Sequence, residues 1–209
     1  MNPVLRARRI VLLVPVGLLV VAVAFVVQRP LHRRAGWEPW FGTVNGVVFW
    51  TLVALPLSAA LIWVLARRRG GGGAWRRAFA EVAMVHGTVP WVWMIMLPGP
   101  GAGVVPRRVS LLPLRDVCAI LAEGPPVTAT VQIVGNLLVF ASLGCFAPIR
   151  FRALASVPRV LALGAACSVL VETAQYVLWL DRVSSVDDVL LNAAGAGLAA
   201  LASRRRWRR

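Results

Sequence analysis

Lysine is absent from this 209-residue sequence, and acidic residues are scarce. The chain has 8 Asp and Glu residues against 23 basic residues, all of them arginine, which gives a formal net charge of +15. Only 15% of the residues are charged and 59% are apolar, whereas about a quarter of a typical soluble domain is charged. This balance argues against a water-soluble enzyme. It also argues against a disordered chain, because such chains have low hydrophobicity.

The arginines occur in short runs between long apolar stretches. A strongly basic chain is often a nucleic-acid-binding protein. However, this alternation is typical of membrane proteins, which concentrate positive residues in their cytoplasmic loops. We therefore predict membrane lipids, and no nucleic acid, as partners.

Cysteine is rare, and its spacing does not indicate a metal site. The three cysteines include no CxxC pair, so the sequence predicts neither a disulfide framework nor a zinc site. Cys145 and Cys167 lie within apolar runs, where cysteine behaves as a small hydrophobic residue. We predict no metal and no cofactor.

A membrane-spanning helix needs about 20 mostly apolar residues, and six stretches approach that length. They are residues 10–27, 43–66, 78–97, 128–148, 159–180 and 186–203. The third is the weakest candidate because it contains Glu81, His86 and Pro90. The first lacks a small-residue cleavage site, which favours an uncleaved helix over a secretory signal. The sequence therefore predicts an all-α, polytopic transmembrane bundle of about six helices.

The arginine distribution predicts how this bundle is oriented. With the N-terminus inside, 16 of the 23 arginines fall on the inner side, so we expect both termini to be cytoplasmic. We expect a two-helix membrane segment at 1–77, a transmembrane domain at 78–203 and a basic cytoplasmic tail at 204–209. An anchor facing anionic lipid is the favoured interpretation of this tail, with nucleic-acid or lipid binding as the alternative.

The longest segment between predicted spans is residues 98–127, on the outer side. It is bounded by Pro98 and by Pro125 and Pro126, and it contains a short apolar stretch. That stretch is too short to span a membrane, so we expect it to lie along the surface or to dip into the bilayer.

Polar residues within the last three predicted helices are the candidate site, because such residues are costly in a bilayer and are candidates for function. The set within these helices is Asn136, Glu172, Gln175, Asp187, Asp188 and Asn192, and Arg182, which lies between the last two helices, joins it. At 1.5 Å per residue, three helices place polar groups in one layer of the outer half of the membrane. This layer predicts a ligand pocket open to the outside, with Glu172 at its floor and Arg182, Asp187 and Asp188 at its mouth. The alternative is structural: hydrogen bonds that join helices, and Asp188 as a helix cap.

These residues occur in an order that resembles the VanZ-like family of bacterial membrane proteins. The matching pieces are Asn136-x3-Phe140, Gly144, Glu172-x2-Gln175, Arg182, Asp187-Asp188 and Asn192-x2-Gly195. The resemblance covers about residues 84–200. Three positions depart from the family pattern: Ser142 replaces a proline, Ser110 an asparagine and Ser185 an aspartate.

The resemblance implies a role in the bacterial cell envelope, because the family is named for a protein that gives resistance to the glycopeptide teicoplanin. We expect a multi-pass protein of the bacterial cell membrane that binds a lipid, a lipid-linked envelope precursor or an amphiphilic antibiotic. One alternative is an intramembrane enzyme, with Glu172 as general acid or base and Asp187 and Asp188 holding Mg²⁺. Others are a small transporter, with Glu172 protonated during transport, and a structural partner of other membrane proteins. The sequence has none of the common hydrolase or nucleotide-binding motifs, which disfavours catalysis.

Overall fold

The computed structural model describes residues 38–207, and they are predominantly helical. Five helical stretches are long and apolar enough to cross a membrane. They are Val44–Arg69, Ala74–Ile95, Pro126–Arg150, Val157–Val177 and Val186–Arg206. They coincide with the last five predicted spans, which confirms the all-α transmembrane fold. The first predicted span, 10–27, lies outside the described residues.

The chain divides into two compact units, Met1–Ala59 and Ala60–Arg209. The described part of the first unit contains α1 (Glu38–Phe41) and α2 (Val44–Val53). Helix α3 (Leu55–Arg69) follows directly in the sequence. The division predicted at residue 77 stays a prediction.

The second unit holds the remaining helices and two short strands. In chain order these are α4 (Ala74–Ile95), β1 (Arg108–Ser110), α5 (Arg115–Glu123), α6 (Pro126–Val139), α7 (Ala141–Arg150), α8 (Val157–Val177), β2 (Val183–Ser185) and α9 (Val186–Ser203). Helix α9 is central, since it packs against α6, α7 and α8, while α4 packs mainly against α7. Helix α9 therefore organises this unit.

Small residues let α9 approach its neighbours closely. A Cβ atom on Gly195 would lie 1.9 Å from the carbonyl oxygen of Leu137, and one on Gly144 would lie 2.1 Å from that of Ala196. Backbone-to-backbone contact of this kind is the usual role of small residues between membrane helices. The glycines therefore fix how near α9 lies to α6 and α7.

The second unit has two chemically different ends. At the arginine end, α4 and α8 begin while α7 and α9 end, and residues from all four helices line one cleft there. At the opposite end, called the carboxylate end, α4 and α8 finish and α5, α6 and α9 begin. That the arginine end is cytoplasmic stays a prediction from the arginine count.

Glu81, which weakened the third predicted span, is paired at the arginine end. It accepts from Arg69, with an N–O distance of 2.7 Å, and from Arg150. Helix α4 also continues through Pro90 without ending. A paired carboxylate is compatible with a spanning helix, because burying a charge is costly chiefly when the charge lacks a partner.

Two features of the backbone were not predicted. Strands β1 and β2 pair in parallel, with Val109 opposite Ser184. The fourth predicted span is broken at Phe140, where φ is −110° and ψ is 14°, into α6 and α7.

Candidate functional site

Asp187 anchors the segment between α4 and α6 to the start of α9. Its carboxylate accepts hydrogen bonds from the backbone N–H groups of Leu114, Asp116 (2.9 Å) and Val117 (3.0 Å). These are N–H groups at the start of α5, which lack partners within the helix. Asp187 is 2% exposed and thus serves as the cap of a helix that lies about 70 residues earlier in the chain.

Ser185 links the same two segments. Its hydroxyl donates to the carboxylate of Asp116 and accepts from the N–H of Asp187 at 3.1 Å, which caps α9. The serine that departs from the family pattern therefore has a defined structural role. Asp116 was not singled out from the sequence, although an acidic residue in the first turn of a helix is a common stabilising feature.

Glu172 lies on α8 beside this cap. It is 8% exposed, and its Oε2 accepts from the N–H of Ser185 at 3.0 Å. The hydroxyl of Ser184 donates to the backbone carbonyl of Glu172 at 3.0 Å. The carboxylate of Asp188 lies near enough to interact electrostatically with that of Glu172. Two acidic groups from different helices therefore lie near each other.

Asp188 joins α9 to α6. Its Oδ1 accepts from the side-chain amide of Asn136. Asn136 is the eleventh residue of α6, so this contact lies about 15 Å along the helix from its start. Asp188 therefore lies level with Asn136. Helix α5, whose first N–H groups donate to Asp187, packs against α6. Helix α5 itself has no buried residue, and the expectation that segment 98–127 lies along the membrane surface or dips into the bilayer stays a prediction.

Arg182 lies in the turn between α8 and β2, near Asp188. It is exposed, its Nη2 donates to the carbonyl of Leu97 at 3.3 Å, and it attracts Asp188 electrostatically. One backbone hydrogen bond leaves most of the guanidinium donors of Arg182 unused within the described part of the chain.

Asn192 lies one helical turn deeper than Asp188, in the direction of the arginine end. Its amide nitrogen donates to the hydroxyl of Ser168 at 2.8 Å, and it is 1% exposed. Its Oδ1 is buried and has no hydrogen-bond partner among residues 38–207. The Asn192–Ser168 pair, one turn below Glu172, is thus the deepest part of the polar layer.

Gln175 joins α8 to α4. It is 6% exposed, and its side-chain nitrogen donates to the carbonyl of Ile95 at 3.0 Å. This bond satisfies a carbonyl in the last turn of α4, where intrahelical partners are lacking.

Another aspartate, Asp181, holds the loop between α4 and β1 in place. It accepts from the N–H of Gly101 at 2.9 Å and forms an ion pair with Arg108, with an N–O distance of 3.4 Å. Asp181 has a positive φ of 53°. The sequence did not predict a role for Asp181, because its partners lie more than 70 residues away along the chain.

The predicted site residues therefore fall into two groups. Asn136, Glu172 and Asp188 lie near one another at the carboxylate end, with Arg182 near Asp188 and Asn192 one turn deeper. Gln175 and Asp187 mainly bind backbone groups of neighbouring segments. Within residues 38–207, no group of three or more His, Cys, Asp or Glu residues has an arrangement that could hold a metal ion.

Comparison with known proteins identifies one similarity. A family model described as VanZ/LLP1 matches residues 86–206, which is more than half of the chain and includes the carboxylate end. No curated protein and no solved structure matches the chain.

Proposed function

Because the chain belongs to the VanZ/LLP1 family, we propose that it binds the headgroup of an envelope lipid or amphiphile at the carboxylate end. Through this binding it lowers susceptibility to the glycopeptide teicoplanin. The binding group consists of Glu172, Asp188, Asn136 and Arg182, and the protein acts in the bacterial cell membrane.

The observation that carries the proposal is that buried Glu172 lies near Asp188, which in turn lies near the exposed Arg182. Two carboxylates from different helices are costly to hold together in a bilayer, and such costly groups are candidates for function. Asp187 accepts three backbone N–H groups, whereas the carboxylate of Glu172 accepts only one among the described residues. A ligand that brings hydrogen-bond donors or a cationic group would compensate this charge.

Arg182 supplies the opposite charge at the same place. Its guanidinium suits a phosphate or carboxylate, because its planar fork of donors can bind such a group in a bidentate manner. A headgroup that carries both an anionic group and hydrogen-bond donors would therefore match Arg182 at one end and Glu172 with Asp188 at the other.

The unpaired oxygen of Asn192 supports a polar occupant of the layer. An unsatisfied buried acceptor costs about 1–3 kcal/mol, and a ligand hydroxyl or amine that reaches one turn below Glu172 would remove this cost.

The proposal is tested by measuring the growth-inhibiting concentrations of teicoplanin and vancomycin in a sensitive host. The strains express wild type, Glu172→Gln, Arg182→Ala or an empty vector, with the amount of protein in the membrane matched. We expect wild type to raise the teicoplanin threshold and both variants to return it to that of the empty vector.

Two variants serve as matched controls. Glu123→Gln and Arg115→Ala make the same changes at the two ends of α5, at exposed positions outside the binding group, and should behave like wild type. If the site variants insert normally and protect as well as wild type, the binding group is wrongly assigned. If wild type itself gives no protection, the effect on teicoplanin does not apply to this protein.

The hypothesis of a Mg²⁺-dependent enzyme is less well supported. Both carboxylate oxygens of Asp187 already accept backbone N–H groups, so Asp188 would have to hold the ion without its neighbour. Purified protein that alters lipid-linked precursors only when Mg²⁺ is added would restore this hypothesis.

A further inference from the structure

An open cleft of about 1560 Å³ lies at the arginine end of the second unit. Its lining includes six arginines and no acidic residue. The arginines are Arg76, Arg77, Arg150, Arg152, Arg204 and Arg205. The cleft is larger than most small-molecule pockets, which occupy about 300–1,000 Å³. None of its lining residues belongs to the site proposed above.

Parts of the cleft wall are held in place by the protein itself. Arg150 is bound by the carboxylate of Glu81, and Arg76 donates to the backbone carbonyl of Arg206. Trp207 packs against the buried core. A ligand that meets groups already fixed loses less side-chain entropy on binding.

Two helices begin at the cleft, and both lack a side-chain cap. Helix α4 follows Gly73, whose φ is 79° and which has no side chain to cap the helix. Helix α8 follows Ser156, whose side chain accepts no capping hydrogen bond. Both N-cap residues line the cleft. A helix N-terminus carries a partial positive charge and unpaired N–H groups, which suit an anion. The backbone therefore adds to the positive field of the arginines.

We propose that this cleft binds the phosphate groups of an anionic lipid. Arginines that only mark the orientation of a membrane protein extend outward, separately, to the headgroups. Here six arginines line one cleft. Their positive charges repel each other, and an anion bound between them would reduce this repulsion. Among residues 38–207, Glu81 is the one carboxylate that pairs with any of them, and it also pairs with Arg69.

The rest of the lining favours a lipid over a free phosphate ion. Val157, Pro158, Leu201 and Trp207 lie beside the arginines, so the cleft offers an apolar surface next to a phosphate-binding one. Basic pockets between transmembrane helices bind lipid headgroups in this manner. The volume and the number of arginines suit a headgroup with two phosphodiesters, such as that of cardiolipin, better than one with a single phosphate.

Lipid binding is measured by native mass spectrometry of the full-length protein, with cardiolipin, phosphatidylglycerol and phosphatidylcholine as separate probes. We expect the affinity to fall in that order. Sodium pyrophosphate is added as a soluble competitor that supplies the same phosphate chemistry without acyl chains.

A pair of triple variants separates the cleft from general electrostatic attraction. The cleft variant is Arg77→Gln, Arg152→Gln and Arg205→Gln. The control variant is Arg68→Gln, Arg159→Gln and Arg206→Gln, which removes the same charge from exposed side chains at the same end that do not line the cleft. We expect the cleft variant to bind cardiolipin on the order of a hundredfold more weakly than wild type, and the control about tenfold more tightly than the cleft variant.

Three outcomes would overturn the proposal. Equal weakening in the two triple variants means that diffuse charge, not the cleft, attracts the lipid. Equal affinity of wild type for cardiolipin and phosphatidylcholine removes any role for phosphate charge, and this comparison stands even if the cleft variant fails to fold. Pyrophosphate that binds as tightly as cardiolipin assigns the cleft to a soluble anion instead of a lipid.

Discussion

Asp187 and Asp188 are neighbours in sequence but have different partners. Asp187 accepts backbone N–H groups from the start of α5, whereas Asp188 accepts the amide of Asn136 and lies near Glu172. The sequence indicated that both were candidates, because acidic residues in a membrane helix are rare. It could not separate their roles, since each partner lies 50 or more residues away along the chain.

Loss of the Asp187 cap is expected to destabilise the fold. Asp187→Ala removes the acceptor for three N–H groups, and each buried donor left unpaired costs about 1–3 kcal/mol. Asp187→Asn keeps one acceptor oxygen and should cost less. Thermal unfolding of the purified protein in detergent measures both, with Glu123→Gln as the control.

A different result would indicate that Asp187 binds the ligand. If Asp187→Ala unfolds at the same temperature as wild type but abolishes protection against teicoplanin, its carboxylate acts on the ligand and not on α5.

The helices were more predictable than the short strands and breaks. The predicted and observed spans agree within a few residues, because a continuous apolar stretch is a local property. Strands β1 and β2 have three residues each, too few to show an alternating pattern, and their pairing joins segments more than 70 residues apart. The break at Phe140 also has no local signal, because the proline that the family pattern places near it is Ser142 here.

Helix α9 should tolerate no added volume where it touches α6. In Gly195→Ala the new methyl group would lie 1.9 Å from the carbonyl oxygen of Leu137, so the two helices must separate. We expect a loss of about 1–3 kcal/mol, as for other overpacked sites, seen as a lower unfolding temperature.

Gly135→Ala is the matched control on α6. A Cβ atom there meets nothing within 4 Å, and alanine favours a helix over glycine by about 1 kcal/mol. This variant should therefore be as stable as wild type or more so. Equal destabilisation by the two substitutions would mean that the close approach of α9 and α6 does not limit stability.

Charge and hydrophobicity, summed over the molecule, predicted that it is a membrane protein. The same sums could not reveal that arginines from three separate segments line one cleft, because this depends on how four helices come together. Orientation in the membrane rests on the arginine count, which favours a cytoplasmic arginine end.

Cysteine labelling tests this orientation. In a Cys118→Ser background, Glu123→Cys places a thiol near the carboxylate end and Arg206→Cys places one at the arginine end. A membrane-impermeant maleimide should label the first in intact cells and the second only after the membrane is opened. Labelling in the reverse order would invert the molecule and place the proposed binding group at the inner surface.

The capping of α5 by Asp187 also sets an order of events during synthesis. Helix α5 has nine residues, and isolated helices shorter than about 12–15 residues are marginal in water. Asp116, which donates its backbone N–H to Asp187, precedes Asp187 by 71 positions in the sequence. At 5–20 residues per second, roughly 4–14 s pass between their translation. Helix α5 is therefore synthesised several seconds before Asp187, which caps it. A chain that stops before α9 leaves α5 uncapped.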